Sequence, residues 1–171
     1  MCIRDSNNPR EDRILTWDFT IDNESFNVSS ATVLGNPTLY QVESIYADQH
    51  YQTLLVAEEM QEHHKVMALD LMTGEVKKED LGNFNRGNDP EGIALVINKD
   101  NNGYWICTEQ SKTDNRFHLY DRKTLEYMNT MYLDNVSYTD GIATAYMHGK
   151  WFLYAVDNDA RVVAFELPEI N

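Results

Sequence analysis

Three stretches of the chain begin with an acidic residue, pass through a small one and run on into apolar residues. They are Glu43-Ser44-Ile45-Tyr46-Ala47, Glu91-Gly92-Ile93-Ala94-Leu95 and Asp140-Gly141-Ile142-Ala143. Their leading acids stand 48 and 49 residues apart. Each stretch is followed by a second apolar run that ends in an acid or an amide: Glu59, Gln110 and Asp157, 51 and 47 residues apart. Asp89 lies two residues before Glu91, across Pro90. Brought to one place, Glu43, Glu59, Asp89, Glu91, Gln110, Asp140 and Asp157 form a set of oxygen donors with no cysteine. Carboxylates crowded together raise one another's pKa unless a cation neutralises them. Hard oxygen donors of this kind suit calcium or magnesium. The competing reading is that each acid caps a strand end or accepts backbone hydrogen bonds in a turn. It holds for any one of them more readily than for a set that repeats in phase.

The elements that must position these side chains are strands. No stretch keeps a 3.6-residue apolar period, and short strand-like runs alternate with Gly, Asn and Asp. The repeat carries more than the acids. After Glu43 come Thr53-Leu54-Leu55-Val56-Ala57-Glu58, Lys65-Val66-Met67-Ala68-Leu69-Asp70 and Thr73-Gly74. After Glu91 come Gly103-Tyr104-Trp105-Ile106-Cys107-Thr108, Arg116-Phe117-His118-Leu119-Tyr120-Asp121 and Thr124-Leu125. After Asp140 come Lys150-Trp151-Phe152-Leu153-Tyr154-Ala155 and Arg161-Val162-Val163-Ala164-Phe165. A period in the high forties with three or four strands per unit predicts an all-β chain built of β-propeller blades. In that geometry equivalent positions converge on one rim of a central channel. The strand bearing the leading acid is innermost, and segments such as Tyr127–Leu133 form the outer edge. Residues 41–171 read as three blades. Residues 7–40, with strand candidates at Ile14–Thr20, Phe26–Val28 and Ala31–Leu34, read as the remnant of a preceding blade. The total of about three and a half blades falls short of the four to eight of a closed propeller. Residues 1–6, Met-Cys-Ile-Arg-Asp-Ser, read as a translated sequencing-adapter scar outside the native protein. Both points predict a partial β-propeller.

Charge narrows the partners. With 28 acidic and 14 basic residues the formal charge is -14. That argues against a nucleic-acid backbone or an anionic membrane surface as partner. Cys107 is the single cysteine outside the adapter stretch, so no internal disulfide is expected. His63-His64 is read as a pair of hairpin residues rather than a metal pair, since neighbours on a strand point to opposite faces. Trp17, Tyr104-Trp105 and Trp151-Phe152 are read as packing residues. Asn27-Val28-Ser29 and Asn135-Val136-Ser137 fit the glycosylation pattern. No phosphate-cradling glycine loop, Gly-x-Ser-x-Gly elbow or Cys/His zinc spacing is present.

The order of motifs resembles the β-propeller phytase family, in its C-terminal half only. Val42-Glu43, Ala47-Asp48 and Leu55-Val56-Ala57-Glu58-Glu59 resemble the family's VEG, AD and LYVAEE. Asp89-Pro90-Glu91-Gly92-Ile93 resembles D-x-EGL, and Gly103-Tyr104-Trp105-Ile106 with Gln110 and Tyr120-Asp121-Arg122 resembles GYLIASSQG and YDR. Thr139-Asp140-Gly141-Ile142 matches TDGI, and Leu153-Tyr154-Ala155-Val156-Asp157 resembles LFVAQD. The chain departs from the pattern at Ser44, where the family has Gly, and at Val156, where it has Gln. The resemblance implies a six-bladed parent, several bound Ca2+ ions and a metal-activated water attacking phosphorus. It implies a phosphorylated small molecule such as phytate as substrate, with 3-phytase activity, a secreted or periplasmic location and a monomeric full-length protein. Glu43, Glu59, Asp89 and Glu91 match calcium-holding positions, Glu43 and Glu91 being the catalytic pair. Gln110, Asp140 and Asp157 match further metal-site positions. Lys65, Arg86, Lys112 and Arg116 match none of the family's phosphate-gripping cations, which come mainly from the other half, so these blades alone are expected to be inactive. Two other readings fit the repeat: a metal-dependent lactonase propeller with a single axial ion, and a non-catalytic interaction propeller.

Overall fold

The computed structural model describes residues 13–22, 25–35, 37–85 and 87–168. The adapter stretch and Arg86 lie outside the described residues. All elements of the described chain are strands. β1 (Leu15–Thr16), β2 (Phe19–Asp22), β3 (Ser25–Val28) and β4 (Thr32–Val33) come first. A four-stranded antiparallel meander follows: β5 (Val42–Asp48), β6 (Thr53–Glu58), β7 (Lys65–Asp70) and β8 (Val76–Lys78). A second meander repeats it with β9 (Asp89–Ile97), β10 (Gly103–Gln110), β11 (Arg116–Asp121) and β12 (Tyr127–Tyr132). The third has three strands, β13 (Ile142–Met147), β14 (Lys150–Asp157) and β15 (Arg161–Glu166). Three successive meanders, each started by its acid-bearing segment, make a partial β-propeller.

The apolar runs are continuous because the blades pack on both faces. β6 is buried at every residue, and only the end positions of β10 and β11 are less than buried. Such strands lose the alternation that a one-sided sheet would show. Leu55, Ala57, Val66 and Ala68 of the first blade meet Ile93, Leu95, Trp105 and Tyr120 of the second. The second blade's other face, with Tyr104, Ile106, Phe117 and Leu119, packs on Leu153 and Ala155 of the third. A buried ion pair locks the first interface: Arg122 Nε donates to Asp48 Oδ2 at 2.7 Å and Nη2 donates to Oδ1 at 2.8 Å. The Trp105 indole N–H donates to the Arg122 carbonyl at 3.2 Å, tying the pair to the core.

Residues 14–34 differ from the sequence expectation in detail. The alternating run Ile14–Thr20 forms two short strands instead of one. β1 pairs with β4, and β2 with β3, in one interrupted hairpin. Its base contributes Ile14 and Leu34, with Leu39, to a cluster against Leu54, Val56, Met67 and Leu69 of the first blade. Its far end carries Phe19, Ile21 and Phe26 in the open. Trp17, expected to pack, is 50% exposed. Alternation alone says that a strand has two faces, but not that either is covered. Where the hairpin base meets the first blade, Gly35 (φ +63) and Gly74 (φ +72) face each other. A Cβ on Gly35 would fall 2.5 Å from the Gly74 carbonyl oxygen, so both the φ values and the contact require glycine.

Candidate metal centre

The innermost strands β5 and β9 each carry one extra residue where the acid sits. In β5 the pairing to β6 skips Glu43, between Val42 and Ser44. In β9 the pairing to β10 slips between Ile93 and Pro90, the stretch that holds Glu91 and Gly92. A bulge re-aims a side chain out of the regular pleat, and here it does so at the same place in two blades. Gly92 then lets the third blade close in. A Cβ there would stand 2.8 Å from the Ile142 amide nitrogen. Ser44 occupies the equivalent place in the first blade, and its hydroxyl donates to the Glu91 carbonyl at 2.5 Å. The departure from glycine thus becomes a bridge between neighbouring inner strands. Thr144 makes a similar bridge, donating to the Leu95 carbonyl at 2.7 Å.

This arrangement gathers most of the expected ligands. Carboxylate oxygens of Glu59, Asp89 and Glu91 lie within 4.8 Å of one another. Glu43 comes within hydrogen-bonding reach of Glu59. Gln41 Nε2 donates to Glu59, and Gln110 Nε2 donates to Asp140. Glu91 is only 4% exposed, and its Oε2 has no hydrogen-bond partner among the described residues. Burial, then the charges of Glu43, Glu59, Asp140 and Asp89, push its carboxyl up to about 9. Burial also raises Glu59, with Glu43 adding to the effect and Gln41 opposing it. Asp89 is raised by burial against the influence of His64. Asp140 is raised by burial and by Asp159. Four carboxyl groups displaced the same way, by burial and by one another, describe a site short of positive charge. The donor set fits calcium: carboxylates and amide oxygens, one carboxylate oxygen buried and unpaired.

Asp157 does not join this group. The register sets Asp157 opposite Arg161, as Glu109 is opposite Arg116 and Glu58 opposite Lys65. It is therefore the counterpart of Glu58 and Glu109, one position before Glu59 and Gln110, and its alignment with those two is corrected by one residue. All three acids hold down the loop that leads into the innermost strand of their blade. Glu58 accepts the amides of Tyr40 at 2.6 Å, Gln41 at 2.7 Å and Met60 at 3.1 Å. Glu109 accepts the Asn85 amide at 3.0 Å, with side-chain bonds from Asn85 at 2.7 Å and Asn88 at 2.6 Å. His118 Nε2 lies 2.9 Å from its other face. Asp157 accepts the Ser137 amide at 3.0 Å and Arg161 Nε at 2.7 Å.

Two further residues reach the rim: Asp159, which sequence reasoning passed over, and His64, which it read as a hairpin residue. Asp159 sits beside Asp140. His64 Nε2 lies 3.1 Å from Asp89 Oδ1. The two histidines do point apart, His63 stacking on Tyr40 at 4.0 Å between centroids. Strand period gave no signal for them, because both lie in the turns after second strands and meet the rim acids only through the fold.

Of the basic residues weighed as phosphate contacts, Lys65 pairs with Glu79, and Arg116 with Asp114 and Glu109. Comparison with curated proteins gives no match. A sequence model of a family described as Phytase matches residues 19–150, a span that includes Glu43, Glu59, Asp89, Glu91, Gln110 and Asp140. Over three-quarters of its length, through the first two blades and into the third, the chain belongs to the phytase family of phosphatases.

Proposed function

We propose that these blades carry the calcium-binding rim of a phosphomonoester hydrolase whose substrate is phytate, cleaved with the 3-phytase pattern. The observation that carries the reading is Glu91: a buried glutamate with an unpartnered oxygen, ringed by four other carboxylates. Glu43, Glu59, Asp89 and Glu91 would hold calcium, with Gln110 and Asp140 on the side of the third blade. Bound calcium supplies charge to offset the substrate's phosphates and lowers the pKa of a water for attack on phosphorus. The residues of this chain do the positioning. The bulges aim Glu43 and Glu91 at one point, and Gly92 and Ser44 set the spacing between inner strands. Glu58 and Glu109 fix the loops that lead into those strands. Gln41 and Gln110 orient Glu59 and Asp140. A protein of net charge -14 would then meet a polyanion through its bound cations rather than its own surface. Such a centre suits a secreted or periplasmic protein, where calcium is plentiful. The number of carboxylates at the rim favours several ions over the single axial ion of a lactonase propeller.

The test is phosphate release from phytate by the full propeller that carries these blades, in calcium buffer, with and without chelator. Release that stops in chelator and returns on calcium addition supports the reading. Full activity in chelator overturns it. Calcium titration of the same protein by calorimetry reads the site independently of turnover, and more than one calcium per chain is expected.

A further inference from the structure

We infer that the corner of the rim formed by His64, Asp89 and Glu59 is a seat for a borderline divalent ion such as Zn2+ or Mn2+, with His64 as its nitrogen ligand. The inference rests on the rim being a cation site, and adds which ion one part of it selects.

The turn after β6 sets up the geometry. The His63 amide donates to the Met60 carbonyl at 2.6 Å, closing the turn. His63 then stacks nearly parallel on Tyr40, at 4.0 Å and 10°, which pins its side chain away from the rim. His64, the next residue, is directed the other way. Its side chain is 7% exposed. Its Nε2 stands 3.1 Å from Asp89 Oδ1, yet neither ring nitrogen makes a hydrogen bond among the described residues. The approach is close enough for an ion pair but off the line that a shared proton would take. A buried imidazole without a partner costs free energy. In the other well-buried histidine of the described chain both ring nitrogens are engaged: His118 meets Glu109 at 2.9 Å and Thr130 at 2.8 Å.

Two donors on one ion at roughly 2.1 Å stand about 3.0–3.4 Å apart, a separation that the His64–Asp89 contact meets. Asp89 is in turn one of three carboxylates, with Glu59 and Glu91, that lie within 4.8 Å of one another, and His64 joins that group through Asp89. An imidazole with two carboxylates is a donor set for zinc or manganese. Calcium takes oxygen ligands and draws little from a nitrogen. His64 therefore separates this corner chemically from the all-oxygen side at Glu43, Gln110 and Asp140.

The experiment uses Zn2+ and Ca2+ as probes of the whole chain, by calorimetry and by side-chain nitrogen NMR of the histidines. Zn2+ is expected to shift the His64 ring nitrogens, and to do so with calcium already bound. His64→Gln is expected to weaken zinc roughly tenfold or more while calcium affinity stays within about threefold. His63→Gln is expected to leave both unchanged. Retained calcium binding in His64→Gln reports that the rim still folds. Ring resonances of His64 that ignore zinc, or equal zinc affinity in His64→Gln, overturn the inference and leave the calcium reading standing. Failure of both ions to bind the unsubstituted protein removes the cation reading itself, and this inference with it.

Discussion

Glu91 and Glu109 sit on neighbouring strands of one blade, and both are buried, at 4% and 0% exposure. Their surroundings are opposite. Glu109 faces donors: Asn85, Asn88, Arg116 and His118 all point at its carboxylate. Burial pushes it up, but those hydrogen bonds prevail and bring it down to about 2. Glu91 faces acids, one of its oxygens faces nothing, and it rises to about 9. Burial is common to both, so burial cannot be what marks a functional acid. The mark is whether the chain itself answers the charge. Where it does, the acid is scaffold. Where it does not, the acid waits for a cation. The largest consequence should come from the scaffold side. Glu109→Ala leaves two asparagine side chains, an amide and a histidine without their acceptor. It should cost about 3–5 kcal/mol of stability in urea denaturation. Calcium binding should weaken with it, because the loop before Asp89 loses its anchor. A loss under about 1 kcal/mol would break the contrast.

Replacing the rim acid should do the reverse. Glu91→Gln removes a carboxyl that the cation-free fold must keep protonated, since nothing in the described chain answers its charge. Without calcium it should stabilise the fold by about 1–3 kcal/mol, read as a higher urea midpoint. Calcium affinity should fall by a factor of roughly ten to a hundred, and phosphate release by the full propeller should fall with it. A variant less stable than its parent in chelator would mean that Glu91 has a partner after all.

The pH dependence separates the two kinds of acid in one experiment. Glu109, Asp48 and Asp157 have folded-state pKa values below their unfolded ones. For Asp48, burial pulls upward and Arg122 with the His50 amide overrides it. For Asp157 the Ser137 amide leads and Arg161 follows. Their stability is present above the unfolded carboxylate range and is lost as pH falls through it, toward about 2 for Glu109. Glu59, Asp89, Glu91 and Asp140 are shifted the other way. The cation-free protein should therefore lose stability as pH rises from about 4.5 toward 9, while the unfolded chain ionises and Glu91 resists. Calcium should abolish that upper slope and release protons on binding, measurable in buffers of different ionisation heat. An upper slope that survives calcium would detach the raised carboxyls from the metal site.

The sequence carried much of this, for a physical reason. A repeat near 48 residues fixes which strands are equivalent, so Glu43, Glu91 and Asp140 were legible as one position before any coordinates. By strand period Glu58 and Glu59 face opposite ways. The period did not show that the buried member of the pair is the scaffold acid. The third blade misled for the same reason. It has Asn158 where the first has Glu59, so the nearest acid, Asp157, stood in for the rim position although it belongs with Glu58. His64 and Asp159 lie in turns, where strand period says nothing and only tertiary approach decides what a side chain meets. Trp17 and the hairpin show the complementary limit, because an alternating run cannot report whether its apolar face is covered.

Asp157 gives the smallest and most discriminating test. It resembles Glu109 in role but not in setting, since its partner Arg161 is 59% exposed and only one amide leans on it. Solvent screens such a pair, so Asp157→Asn should lower the urea midpoint far less than Glu109→Ala does. As a scaffold acid outside the rim, its loss should leave calcium affinity within about twofold, because Asn can still accept from the Ser137 amide and hold the loop before Asp140. A tenfold fall in calcium affinity with stability unchanged would return Asp157 to the metal. It would also show that an acid answered by the chain can still serve a cation, which is the rule that Glu91 and Glu109 divide on.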